Sequence, residues 1–214
     1  ENITAGQAYT FNLNTNVENA QFSLYNSHPD LNLSIVDTSV TPTQTPDSIS
    51  GLELWLDASS LTSADSSWPD SSSNGNDATK TGSPSVTTHA PTGHSLMSYD
   101  ANGQKHQFTM LNNIRTVFWI ISQDSNFNGS GYRYILSDST KHPHWHNQNN
   151  GKFWSTNGWT NTNIKKGTTR INGAIINGVT TNYPNNLSIV TVKTAGNVEA
   201  DCFGYDRADT GRQW

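Results

Sequence analysis

Apolar residues in this chain come in short runs at every second position, and the runs are separated by Asn, Gly, Ser and Pro. Leu52-Glu53-Leu54-Trp55-Leu56 puts three leucines on one side, and Tyr9-Thr10-Phe11-Asn12-Leu13 repeats the pattern near the start. A period of two is that of a half-buried strand, and no stretch carries the helical spacing over enough residues to compete. Thr116-Val117-Phe118-Trp119-Ile120-Ile121 is continuous rather than alternating, which predicts a strand covered on both faces. Arg170-Ile171-Asn172-Gly173-Ala174-Ile175-Ile176 sets Asn-Gly between apolar residues, the strongest short-range hairpin signal. Further strands are expected over Leu187 to Lys193 and Val198 to Phe203. Many short strands with this punctuation predict an all-β, antiparallel two-sheet sandwich.

Composition narrows the function classes. Twelve Lys and Arg against seventeen Asp and Glu give a net charge of -5, without the basic stripe that a nucleic-acid binder needs. No run approaches the ~18 apolar residues of a membrane helix. Cys202 is the single cysteine, so no intrachain disulfide forms; in the strand-like Ala200-Asp201-Cys202-Phe203 it is expected to pack as a small apolar residue. Glu1-Asn2-Ile3-Thr4 carries no leader pattern and is expected to lie inside a longer chain. Sequons at Asn2, Asn32, Asn128 and Asn186 arise easily in a sequence this rich in Asn, Ser and Thr. The Asn load and its Asn-Gly pairs argue against a hyperthermophilic source.

Three segments follow from these patterns. Residues 1–37 hold three short alternating runs, too few for a free-standing sandwich, and are read as the C-terminal part of a β-sandwich of immunoglobulin type. Residues 38–50, with two prolines and many hydroxyls, read as a stiff extended linker. Residues 51–214 form the main domain.

Within that domain, Gly51-Leu52-Glu53-Leu54-Trp55-Leu56-Asp57-Ala58-Ser59 is followed by Trp68-Pro69-Asp70-Ser71-Ser72-Ser73-Asn74-Gly75-Asn76-Asp77-Ala78. These two stretches resemble the opening of a laminin-G-like, concanavalin A-like lectin/glucanase jelly roll. The Ile171-Asn172-Gly173 turn, Phe203-Gly204-Tyr205-Asp206-Arg207 and Gly211-Arg212-Gln213-Trp214 resemble its second half. The resemblance implies a jelly roll whose last strand lies beyond Trp214. It also implies a module of large extracellular, cell-surface or virion proteins, found in adhesins and in viral or phage structural proteins. Fold by itself does not fix function.

Candidate sites are of three kinds. Asp70-x-Ser72-x-Asn74-Gly75 has the alternating oxygens of a calcium loop, with Asp57, Asp70, Asn74 and Asp77 as the ligands to examine; Thr81 stands where the bidentate Glu belongs, and a self-capping polar turn is the competing reading. His142-Pro143-His144-Trp145-His146 puts His144 and His146 on one strand face, as a zinc pair lacking a third ligand or as packed histidines. Trp145, Trp154 and Trp159, with His144, Asn147 and Asn157 among them, offer aromatic faces and amides to a sugar ring, or else fill the core. The Glu-x-Asp-x-x-Glu strand of related glucanases, a Gly-x-Ser-x-Gly elbow and a phosphate loop are all missing, so no hydrolytic activity is expected. The expected function is that of a non-catalytic glycan-binding or adhesive module. The alternative is a structural spacer or decoration domain, with partners that are glycans or neighbouring copies of a surface assembly and no nucleic acid.

Overall fold

The computed structural model describes residues 45–101, 103–123, 134–140, 144–147 and 151–204. The chain divides into two compact units, Glu1–Thr43 and Gln44–Trp214. The strands expected in residues 1–37, the first part of the linker, the closing segment 205–214, His142 and the sequons at Asn2, Asn32 and Asn128 lie outside the described residues.

The described architecture is all-β and antiparallel. Nine strands follow in chain order: β1 Ser67–Trp68, β2 Ala78–Thr81, β3 Ser85–Thr88, β4 Ser95–Ser98, β5 Lys105–Ile121, β6 Leu136–Ser137, β7 Thr168–Ile171, β8 Ala174–Ile176 and β9 Ser188–Phe203. Helix among the described residues amounts to the single turn α1 Thr162–Lys165 and two 3-10 turns, Pro46–Ser48 and Ala58–Ser60. The main sheet runs β1-β2-β5-β9-β7-β8, with β6 paired to β9 at Cys202 and Phe203, the end away from β7, and β3 and β4 form a separate hairpin. Among the described residues no helix is long and apolar enough to cross a membrane.

The long pair β5–β9 is the spine. In β5 the buried residues fall at His106, Phe108, Leu111, Ile114 and Trp119, a spacing that slips from two to three in the middle. Register shifts lie at those slips, between Gln107 and Leu111, Leu111 and Ile114, and Ile114 and Thr116. Each bulge adds a residue and returns the next apolar side chain to the inner face. In β9, Val190, Val192, Val198, Ala200 and Cys202 face the same side. What the sequence suggested as two strands, 187–193 and 198–203, is one element with a break in pairing between Lys193 and Val198.

Asn172 and Gly173 take φ of 48° and 83°, the left-handed pair a two-residue hairpin turn requires, and Ile171 pairs with Ala174 across them. Two other strand expectations are corrected. Phe118 and Ile120 are exposed, so the Thr116–Ile121 run is covered on one face only, by the packing around Trp119. The Leu52–Leu56 segment makes one bridge, Leu56 to Asp70, and no ladder. Its backbone is held by side chains instead, as described below.

Opposite the inner face of the sheet, Trp145, Phe153, Trp154, Ile164 and Tyr183 complete the core, and Leu54, Leu56 and Trp68 pack at its margin. Trp154 lies directly over Gly178, where an added Cβ would stand 2.1 Å from its Cδ1 and 2.5 Å from its Nε1. The Trp154 N–H also donates to the Gly178 carbonyl at 3.0 Å. Gly178→Ala is therefore expected to cost about 1–3 kcal/mol in urea unfolding, because a buried indole must shift. An unchanged midpoint would show that the ring does not rest on this glycine.

Candidate functional site

The motif Trp68 to Ala78 builds a hydrogen-bonded staple. The Asp70 carboxylate receives four donors: the Trp55 N–H at 2.9 Å, the Ser72 N–H at 2.9 Å, the Ser72 hydroxyl at 2.7 Å and the Asn76 N–H at 2.9 Å. The Asn74 amide donates to the Leu52 carbonyl at 2.7 Å and the Asn76 amide to the Glu53 carbonyl at 2.8 Å. These bonds replace the missing ladder along Leu52–Leu56. Gly75 sits at φ 69°, the left-handed conformation the tight turn needs. Trp68 fastens the other end by donating Nε1–H to the Asp57 carbonyl at 2.9 Å.

This geometry is that of the self-capping polar turn, the alternative to the calcium loop. The four acceptor positions of Asp70 are taken by protein donors, Asp77 accepts the Asp70 N–H at 2.8 Å, and Asp57 accepts the Ser59 N–H at 2.9 Å as a helix cap. Asn74 turns its amide NH2, not its oxygen, toward the neighbouring strand segment. Burial raises the Asp70 carboxyl, but the Ser72 hydroxyl and the N–H groups of Trp55, Asn76 and Ser72 together outweigh it and hold the group below 3.8. Among the described residues, no group of three or more His, Cys, Asp or Glu side chains is arranged to hold a metal ion.

The second region is the segment from His144 to Thr160. His144 and Thr160 form a parallel bridge, with the His144 N–H donating to the Trp159 carbonyl at 3.1 Å and the Asn161 N–H to the His144 carbonyl at 2.9 Å. Side chains alternate along the first strand of that bridge. Trp145 points into the core, 1 % exposed, edge-on to Trp119 with centroids 5.6 Å apart and planes at 81°. Its Nε1–H donates to the Glu199 carbonyl at 3.1 Å. His144 and His146 take the other side, their ring centroids 5.4 Å apart.

His146 is fixed at both nitrogens. Nδ1 lies 2.6 Å from the Asn147 carbonyl and Nε2 lies 2.7 Å from the Tyr134 hydroxyl. A carbonyl only accepts, so Nδ1 carries a proton and Nε2 accepts from Tyr134. Tyr134 thus occupies the Nε2 of His146, and both histidines are buried, as in the packed-histidine reading. The Thr160 hydroxyl donates to the His146 carbonyl, adding a second restraint.

The glycan candidates separate by burial. Trp145 and Trp154, the latter 3 % exposed and donating Nε1–H to the Thr169 hydroxyl at 2.8 Å, are core residues out of reach of a ligand. His144 and Asn147 are buried as well. Their apolar and amide surfaces serve packing, which is the alternative the sequence left open. Trp159 is 44 % exposed and stacks on His146, with centroids 5.9 Å apart and planes 28° from parallel. Asn157, two residues earlier, is exposed, its carbonyl accepting from the Lys165 ammonium at 2.9 Å. Tyr134 and Thr160 went unread in the sequence, because neither sits in a motif and both act through chain segments that meet only in the fold.

Two other titratable groups are structural. His106 is buried against Tyr99, whose hydroxyl lies 2.8 Å from Nδ1; burial, with Lys80 adding to it, pulls its pKa down to about 4. Cys202 is buried on β9 with its Sγ 3.0 Å from the Ser137 hydroxyl, and burial pushes the thiol well above its ordinary value. That suits packing and not a thiolate nucleophile.

No family model matches the chain, and no curated protein or solved structure matches it significantly. The class that can be stated is an all-β, antiparallel protein with a rigidly mounted surface tryptophan.

Proposed function

We propose that residues 51–214 form a laminin-G-like jelly roll acting as a non-catalytic glycan-binding module of a larger extracellular or virion-surface protein. The observation that carries the reading is Trp159. Its side chain is 44 % exposed, yet its backbone is tied to His144 and its ring is backed by His146, itself locked by Tyr134 and Asn147. An aromatic face already held in place loses little conformational entropy on binding, and a sugar's flat C–H face complements it.

The test is a glycan array probed with the whole chain and with Trp159→Ala. The variant should lose about 1–3 kcal/mol of binding, roughly 5- to 150-fold in affinity, as expected for an aromatic anchor. Its unfolding midpoint should stay near that of the native chain, since the ring is half out of the core. Equal binding by both proteins would exclude Trp159 as the anchor, and an array without a ligand would reject the glycan reading.

A further inference from the structure

The outer face of the main sheet is apolar where an uncovered antiparallel sheet ordinarily turns polar. Phe118 and Ile120 flank the buried Trp119 and therefore point away from the core. Register extends the row across four strands: Phe118 opposite Thr191, Thr191 opposite Arg170, and Arg170 opposite Ile175. Ile120 pairs with Ile189 in the next row. Phe118 is 65 % and Ile175 68 % exposed, and Ile120 and Ile189 are each more than half exposed. Contiguous exposed apolar surface of this kind marks a binding face.

Charge says what fits it. Arg170 lies in the first row, and Lys193 lies two residues beyond Thr191 on the same side of β9. The strands of the face hold Lys105, Arg115, Arg170 and Lys193 against Glu199 and Asp201, whereas from residue 47 to 77 the chain holds six Asp and Glu and no Lys or Arg. The acidic segment carries β1, at one edge of the sheet, and the cationic apolar face reaches β8, at the other. The acidic segment has its own apolar knob, Ile49, more than half exposed between Asp47 and Glu53.

We propose that the outer face of β5, β9, β7 and β8 binds the acidic 47–77 segment of a second copy of this chain, head to tail. Pairing the face with itself would bring two copies each of Arg170 and Lys193 into one interface, which like-charge repulsion disfavours. Opposite surfaces meeting at opposite edges make a heterologous contact, which propagates into open chains of copies. The contact is independent of sugar binding at Trp159.

The experiment is sedimentation velocity on the whole chain, in low and high salt, with two charge-reversed variants. The native chain should associate beyond a dimer between about 1 and 100 μM, and less so in high salt, where exposed charges are screened. Arg170→Glu with Lys193→Glu blocks one end, and Asp47→Lys with Glu53→Lys blocks the other. Each variant alone should sediment as a monomer, with circular dichroism unchanged. Mixed, they should form one-to-one dimers and nothing larger, since each retains the end the other lacks. Phe118→Ser with Ile175→Ser should abolish association in any mixture that needs its face. A native chain that stays monomeric throughout overturns the proposal. So does a dimer formed by the Asp47→Lys, Glu53→Lys variant alone, which would mean the face pairs with itself. Binding of the monomer to phosphatidylserine vesicles, without self-association, would assign the face to a lipid surface and overturn it equally.

Discussion

Trp145→Ala is expected to cost about 3–5 kcal/mol of stability, the range for removing a large buried aromatic side chain. Trp145 is one of the largest fully buried side chains, set between Trp119 and Trp154, with centroid distances of 5.6 and 6.2 Å. Its loss opens a cavity where the aromatic segment meets the sheet, and it strips the Glu199 carbonyl of the indole donor. A chain of this size loses roughly 2–4 °C of melting temperature per kcal/mol, so a fall of about 6–20 °C should be seen in thermal unfolding. Trp145→Phe keeps part of the ring contact and should fall between the two. A midpoint within about 1 °C of native in the alanine variant would contradict the buried position and return Trp145 to the list of surface anchors.

Asp70→Ala should be the next most damaging change, at about 2–4 kcal/mol, because four donors lose an ionised acceptor together. Two of those donors, the Trp55 and Asn76 N–H groups, fasten the Leu52–Leu56 segment and the turn that faces it. The effect has a pH signature. The folded Asp70 carboxyl is held below 3.8, so near and below that pH the unfolded chain takes up its proton first. Its contribution is complete well above pH 3.8 and is lost as pH falls through the lowered folded value. Urea midpoints measured from pH 7 to pH 2 should therefore fall less steeply below about pH 4 in Asp70→Ala than in the native chain. Asp65, held low by the backbone and hydroxyl of Thr62, keeps part of the slope in both proteins. Parallel profiles would show that the staple does not depend on the charge of Asp70.

The sequence by itself determined whatever is set by neighbours along the chain. Asn172-Gly173 between apolar residues makes a two-residue turn because only those residue types accept a positive φ cheaply at both positions. Asp70, Asn74 and Asn76 make a capped turn because short polar side chains reach backbone groups a few residues away. The inward side of His144-Trp145-His146 alternates because successive side chains point to opposite faces. Only the tertiary structure decided which side of each alternation is covered. Trp145 and Trp159 look alike in the sequence, but Trp145 is buried against Trp119 and Trp154, whereas Trp159, stacked on His146, keeps 44 % of its surface exposed. Phe118 and Trp119 are adjacent in one apolar run, and the core covers Trp119 alone. The Leu52–Leu56 alternation did not become a ladder strand, because Asp70, Asn74 and Asn76 reached its backbone groups first. Period and turn chemistry are local quantities; burial is a property of pairs of segments, and the segments that bury one another here lie tens of residues apart.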